Sequence, residues 1–160
     1  MKKNPLIAIA LAASTLPAFA ADPPAVPFPE GYRDWHHVKS MVIEEGHPLY
    51  ASFGGMHHLY ANDLAIEGYR TGRFPEGAVI VFDLLAAGAA DAAIVEGPRK
   101  VVGVMHKDSA RWAATGGWGF EGFAGDSKTE RAVGPKAAEA CFACHAPQKA
   151  TDYVFSQLRP

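Results

Sequence analysis

This sequence has few cysteines, no excess of basic side chains and only one long apolar run. Only two of its 160 residues are cysteine, which excludes a small fold held by several disulfides. Lysine and arginine number 15 against 17 acidic residues, and no basic run is interleaved with aromatics, so nucleic acid is not an expected partner. The one long apolar run, residues 6–16, is about half of the ~20 residues that a membrane-spanning helix needs, so no membrane span is predicted.

The first 20 residues are typical of a secretory signal peptide. Lys2 and Lys3 form its charged start, and Ala18-Phe19-Ala20 is a small-residue cleavage site, which predicts cleavage after Ala20 and a periplasmic location. Residues 21–29 are rich in proline and predict an extended arm. Residues 30–160 are then expected to form a single domain.

Both cysteines fall in one motif, Cys141-Phe142-Ala143-Cys144-His145, which is the C-x-x-C-H attachment pattern of c-type haem. Thiols one helical turn apart can bond to the two vinyl groups of one porphyrin edge, and the next residue then places its imidazole under the iron. The motif predicts one covalent haem c, with His145 as the iron ligand. A disulfide or thioredoxin-like pair is the alternative for the cysteines, and structural zinc is a weaker one because further ligands are missing.

The hydrophobic pattern changes along the chain, with strands first and helices last. This order favours an α+β fold, mainly an antiparallel β-sheet with short helices and a C-terminal helix that carries the haem motif. The predicted helices and strands, in chain order, are a helix over Gly31–Val38, a strand over Met41–Glu44, a strand over Ser52–Ala61, a helix capped by Asn62 and ended by Gly72, strands over Ala78–Leu85, Lys100–His106 and Trp118–Phe123 with a break at Gly122, and helices over Pro135–His145 and Ala150–Leu158.

The second axial position of the iron decides between electron transfer and ligand binding. A strong sixth ligand gives an electron carrier, whereas an open position gives gas binding or catalysis. Residues of the right chemistry are numerous, and the sequence does not choose among Met41, Met56, Met105, His36, His37, His47, His57, His58 and His106. Because adjacent strand residues point to opposite faces, at most one of His57 and His58 can face the haem.

In the order of its motifs the chain resembles the cytochrome P-460 and cytochrome c′-beta family over nearly all of the mature sequence. The residues that carry the resemblance are Gly31-Tyr32-Arg33-Asp34-Trp35, Phe53 with Met56-His57-His58-Leu59-Tyr60-Ala61-Asn62, Tyr69-Arg70-Thr71-Gly72-Arg73-Phe74-Pro75-Glu76-Gly77, Lys107-Asp108-Ser109-Ala110-Arg111-Trp112, Gly117-Trp118-Gly119-Phe120, the Cys141–His145 motif and Thr151-Asp152-Tyr153-Val154-Phe155. The resemblance implies a homodimer and a five-coordinate haem with His145 as its proximal ligand.

The family has two branches, which differ at one strand position. In the P-460 branch a lysine there is crosslinked to the porphyrin and the protein oxidises hydroxylamine; in the c′-beta branch phenylalanines cap the distal face and the haem binds nitric oxide and carbon monoxide. The resemblance aligns Phe82 with the lysine and gives Phe53 as the second cap, which places this chain in the c′-beta branch. If the alignment shifts, Tyr50 takes the place of Phe53 and supplies a hydroxyl.

The leading prediction is therefore a gas-binding haem protein rather than an oxidoreductase, with a small diatomic ligand and a possible periplasmic electron-transfer partner. The alternatives are an enzyme that oxidises hydroxylamine or nitric oxide, and a six-coordinate electron carrier. Two further groups of side chains are expected mainly at the surface: possible proton carriers Glu96, Glu121 and His106, and possible crosslinking lysines Lys39, Lys100 and Lys107. The guanidinium groups of Arg70, Arg73 and Arg99 could pair with the haem propionates, and the sequence does not choose among them.

Overall fold

A computed structural model describes residues 25–159. Five strands form one antiparallel sheet in which neighbours in sequence are neighbours in space. The strands are β1 (His36–Ile43), β2 (Gly55–Ala61), β3 (Val79–Ala90), β4 (Ala93–Lys107) and β5 (Trp118–Ala124), and the α-helices are α1 (Tyr50–Phe53), α2 (Asp63–Thr71) and α3 (Ala137–His145). Short 3₁₀ turns occupy Tyr32–Asp34, Ala113–Thr115, Gly134–Lys136 and Ala146–Thr151. The predicted α+β class, with a C-terminal helix over the haem motif, is confirmed.

The sheet has a core on each face. On one face, here called the helix side, Ile80, Met105 and Phe120 pack with residues of α2 and α3. On the other face, called the arm side, Val81, Val102, Val104 and Phe123 pack with Tyr32 and with Val26, the latter from the proline-rich segment. Residues opposite each other in antiparallel strands share a face, so the strand register assigns a face to each candidate side chain.

The helix predicted after Asn62 forms as its capping residues require. The Asn62 side-chain oxygen accepts hydrogen bonds from the Ala65 backbone N–H at 2.9 Å and from the Val79 backbone N–H at 3.0 Å. Gly72 ends α2 in the left-handed conformation, with φ of 76°, which glycine adopts without strain. The same asparagine therefore caps α2 and joins it to the start of β3.

Several predicted elements differ from those observed; the strand predicted from Met41, for example, begins at His36. In place of a helix over Gly31–Val38 there is one 3₁₀ turn, because His36 already pairs with Ala61 on β2. The strand predicted from Ser52 begins at Gly55, since α1 occupies the preceding residues. At Gly122 the register does not break, because it pairs with Gly103 in an uninterrupted ladder. The helix predicted over Ala150–Leu158 ends at Thr151.

Strands β3 and β4 extend well beyond the rest of the sheet. Their pairing continues from Leu85 to the turn between Ala90 and Ala93, with bulges near Leu85. This extension is exposed, and Ile94 and Val95 are 51% and 44% accessible at its end. Between residues 25 and 159 no helix has the length and apolar character needed to cross a membrane. The predicted signal peptide lies outside the described residues.

Candidate haem site

Helix α3 carries the three residues of the attachment motif. Cys141 and Cys144 lie one turn apart and neither forms a disulfide, so both thiols are free for other chemistry. Cys141 is half-buried against the helix-side core, and this burial raises the pKa of its thiol, as do the charges of Glu121 and Cys144 to a smaller degree. Cys144 is exposed. The disulfide that the spacing also allowed is thus not formed.

His145 follows the second thiol and is oriented through one ring nitrogen. Its Nδ1 lies 2.7 Å from the carbonyl oxygen of Tyr153, so Nδ1–H donates and Nε2 keeps a free lone pair. The ring packs 5.0 Å from that of Phe120 and 4.9 Å from that of Phe155. Burial lowers the pKa of His145, with the Tyr153 hydrogen bond opposing the shift, which favours the neutral form that binds iron.

Facing α3 on the helix side, the sheet presents an apolar wall. Phe82 on β3 pairs with Gly103 on β4, which in turn pairs with Gly122 on β5. Across these three strands the Phe82 ring is therefore followed by two residues without side chains. The next row along contains Met105 and Phe120. A ring-lined, largely apolar surface next to Cys141 and the His145 imidazole fits a haem, whose faces are apolar and whose iron takes a histidine nitrogen. Among residues 25–159 no three or more His, Cys, Asp or Glu side chains cluster so that they could hold a bare metal ion.

Phe53 and Phe82, although distant in sequence, are brought into contact. Their ring centroids are 5.7 Å apart in an edge-to-face arrangement, and Phe53 is 39% exposed. The Lys100 ammonium donates to the Gly54 carbonyl oxygen at 2.7 Å and so holds the end of α1 that carries Phe53. Tyr50 packs against Gly54 within its own turn. The arrangement places Phe53, rather than Tyr50, beside Phe82.

His57 is a polar side chain that lies beside Phe82. It faces the helix side opposite Leu84, is 5% exposed, and its ring centroid is 4.5 Å from that of Phe82. Its Nδ1 is buried with no hydrogen-bond partner among the described residues. Burial, with a smaller effect of His58, lowers the pKa of His57 to about 4, so the ring is neutral at pH 7. The expectation that phenylalanines cap the distal face overlooked this residue, which the sequence had given only as one possible iron ligand.

His58 points to the arm side, so the two adjacent histidines do take opposite faces. Its ring nitrogens lie 2.6 Å from Ser40 Oγ and 2.6 Å from Glu96 Oε1. Several of the other possible iron ligands are engaged or placed elsewhere: His36 with Asp63, His37 with Ser40, His47 with the Leu49 N–H, His106 beside Trp112 on the arm side, and Met56 on the arm side. Met41, which pairs with His57, and the buried Met105 share the helix side with Phe82.

Two residues expected at the surface are buried because each has a charged partner. Lys107 is 7% exposed and its ammonium lies 2.8 Å from Asp152. Glu121 is 6% exposed; it accepts from Arg131 and from the backbone N–H groups of Gly122 and Gly134. Among the arginines considered for propionates, Arg99 binds Asp83 at 2.6 Å and also Asp126. Of the other residues expected at the surface, Glu96 and Lys100 are exposed, whereas Lys39 and His106 are half-buried. Arg70 and Arg73 are exposed.

The buried histidine gives a testable dependence of stability on pH. The folded-state pKa of His57, about 4, lies below the unfolded value of about 6.5, so between these values the unfolded chain binds more protons and stability falls as pH falls. We expect wild type to lose roughly 3 kcal/mol more than His57→Leu between pH 7 and pH 4. At pH 7 the variant should be more stable by about 1 kcal/mol, because an unpaired buried nitrogen is removed.

Urea unfolding of the full chain at several pH values measures this difference. Met41→Leu is the control, since Met41 pairs with His57 on the same face of the sheet and does not titrate, and its curve should run parallel to wild type. Parallel curves for His57→Leu as well would show that His57 is hydrated or partnered in solution and would overturn the expectation.

The antiparallel sheet is followed by a C-terminal helix that carries two free thiols and an oriented imidazole beside an apolar face of the sheet. This combination defines a haem-binding cytochrome. The chain belongs to the cytochrome P460 family, since the sequence model of that family, cytochrome P460, matches residues 29–156. The match spans the whole sheet and the attachment helix and confirms the resemblance at the level of the family, and with it a haem cofactor. No curated protein matches the chain.

Proposed function

We propose that the protein is a periplasmic mono-haem c-type cytochrome that binds nitric oxide, and also carbon monoxide, at a five-coordinate iron. Cys141 and Cys144 would hold the haem covalently, and His145 would be its protein iron ligand. The observation that carries the proposal is the contact of Phe53 with Phe82 at 5.7 Å on the helix side of the sheet. The two phenyl rings form a lid and themselves offer bound gas no hydrogen bond.

The bound haem supplies an iron with one open coordination position, and the chain's own side chains select what reaches it. His145, fixed by its hydrogen bond to the Tyr153 carbonyl oxygen, would bind the iron. Phe82 and Phe53 exclude water and disfavour polar ligands, because they provide no donor to a dioxygen or hydroxylamine nitrogen. Small, weakly polar diatomic molecules are the ligands that such a pocket prefers.

Lysine placement supports the uncrosslinked branch. Phe82 cannot form the crosslink that the resemblance associates with a lysine at this position. The ammonium groups of Lys100 and Lys107 are engaged with the Gly54 carbonyl and with Asp152. Lys39 lies on β1, two strands from Phe82.

Optical spectra of the purified holoprotein, oxidised and dithionite-reduced, test this function. We expect a broad high-spin Soret band of ordinary c-type position in the reduced protein, and a shift of that band on addition of nitric oxide. Sharp low-spin bands indifferent to nitric oxide would overturn the proposal in favour of an electron carrier. A strongly red-shifted ferrous band would show a crosslink and favour the enzyme.

One observation favours hydroxylamine or nitric oxide oxidation as a second candidate. The neutral His57 ring, with its unpartnered Nδ1, stacks on the lid at 4.5 Å and is a potential proton acceptor there. His57→Leu separates the two functions: it should abolish oxidation of hydroxylamine if this candidate holds and leave nitric oxide binding in place if the leading proposal holds.

The protein is further proposed to be a homodimer, with a periplasmic electron-transfer partner as a possible second contact. The exposed extension of β3 and β4 supports self-association, since Ile94 and Val95 present apolar surface beside open strand edges.

A further inference from the structure

Two consecutive residues after the last 3₁₀ turn have left-handed backbone conformations. Asp152 has φ of 51° and Tyr153 has φ of 67°, and neither is glycine. A single non-glycine residue in this region is uncommon, and a pair of them, one aromatic, is strained unless the surroundings hold it. The structure must therefore contain interactions that fix this pair.

Asp152 is held by three separate parts of the fold. Its carboxylate accepts from the Lys107 ammonium at 2.8 Å and from the Phe74 backbone N–H at 2.9 Å, and its carbonyl oxygen accepts from Trp118 Nε1 at 2.8 Å. The Lys107 and Asp152 side chains are only 9% and 11% exposed, so this ion pair is largely shielded from water. Lys107 also donates to the Gly116 carbonyl oxygen at 3.0 Å. The end of β4, the start of β5 and the segment after α2 thus converge on one residue, the first and last through its carboxylate and β5 through its backbone carbonyl.

Tyr153 is fixed by the same region. Its ring lies directly against Gly116, where any Cβ would collide with it, and its backbone N–H donates to the Gln148 carbonyl oxygen at 2.8 Å. With the conformations of both residues set, the direction of the Tyr153 carbonyl is also set. That carbonyl is the partner of His145 Nδ1 at 2.7 Å.

We propose that the buried Lys107–Asp152 ion pair positions the proximal imidazole, by fixing the Tyr153 carbonyl that accepts from His145 Nδ1–H. The inference rests on the proposed function in that His145 is taken as the iron ligand. A strong hydrogen bond at Nδ1 makes the imidazole a more basic ligand, which strengthens its bond to iron and stabilises the ferric state. Lys107 and Asp152 are positioning residues: they act on the iron only through the backbone of Tyr153.

Asp152→Asn is the informative variant, because it keeps the size of the side chain and removes its charge. The amide provides one acceptor oxygen where the carboxylate provides two, so the Lys107 and Phe74 contacts cannot both be kept in their present form. We expect the iron–histidine stretching frequency of the reduced holoprotein to fall in resonance Raman spectra, and its reduction potential to rise. Lys107→Arg, which keeps the positive charge, should restore both values toward wild type relative to Lys107→Met.

Asp83→Asn is a matched control for the loss of a buried carboxylate. Asp83 is 2% exposed and is bound by Arg99 and Tyr32, but it lies on the arm side of the sheet, away from Tyr153. Asp83→Asn should lower the thermal stability, as Asp152→Asn does, but leave the iron–histidine stretching frequency and the reduction potential unchanged. Equal shifts in the two variants, or no shift in a folded Asp152→Asn, would overturn the positioning role.

A measurement on the full-length apoprotein keeps this inference separate from the gas-binding proposal. Nitrogen-15 NMR reports the ring tautomer of His145 and the exchange of its Nδ1 proton without any haem. We expect the Nδ1–H tautomer in wild type, and at least tenfold faster proton exchange in Asp152→Asn but not in Asp83→Asn. Unchanged exchange in Asp152→Asn would refute the positioning role even if nitric oxide binds, whereas faster exchange would support it even if the iron proves six-coordinate.

Discussion

Replacing both Cys141 and Cys144 by alanine is expected to abolish covalent haem retention. Both thiols are free and lie one turn apart on α3, so they are the pair that can bond to two vinyl groups. In the double variant, haem should be extracted by acidified organic solvent and no haem stain should remain on a denaturing gel. Each single variant should keep one thioether and stain weakly.

Two comparisons show whether the loss is due to the thiols. Ala143→Ser changes an exposed residue between them and should retain the haem fully. His145→Ala should retain the covalent haem but lose its protein ligand, which would alter the iron spectrum without removing the stain. Haem that stays covalently bound in the double alanine variant would contradict the assignment of the attachment site.

Phe82→Ala is expected to open the lid over the iron. The substitution removes the ring that contacts both Phe53 and His57, and β4 offers no side chain at Gly103 to fill the space. If displacing the ring contributes at least ~1.4 kcal/mol to the barrier for ligand entry, carbon monoxide should bind the reduced protein about tenfold faster. Because Phe82 is half-buried, the stability should fall by about 2 kcal/mol, less than for a fully buried phenylalanine.

Flash photolysis of the carbon monoxide complex measures the association rate. Phe28→Ala is the matched control, because this half-buried ring packs 5.1 Å from Phe123 on the arm side. It should lower stability to a similar extent without changing the rate. An unchanged rate in folded Phe82→Ala would mean that Phe82 does not gate the site.

The features of the fold that were predicted correctly depend on residues close together in the sequence. Asn62 and Gly72 marked both ends of α2, because capping depends on residues within one turn. The attachment motif is equally local, since three residues on one helix define it. The β3–β4 extension was underestimated, because its alanines and glycine lack the apolar alternation by which buried strands are recognised.

Contacts between distant parts of the chain could not be predicted in the same way. The pairing of Phe53 with Phe82 came from family resemblance rather than from periodicity. The Lys107–Asp152 pair spans 45 residues, and its lysine was expected in solvent because nothing near it in sequence indicates burial. The helix predicted over Ala150–Leu158 ends at Thr151. Alanine and leucine favour a helix there, whereas the contacts of Asp152 and Tyr153 impose left-handed conformations.

Helix α3 comes after the sheet in the chain and packs mainly on its last strand, β5, and on its short flanking helices. All five strands are complete by Ala124, before α3 begins at Ala137. The strand pairing therefore does not depend on α3, whereas the helix needs the finished sheet as its packing surface. This order suits maturation, because the sheet can form before the thiols of α3 are placed against it.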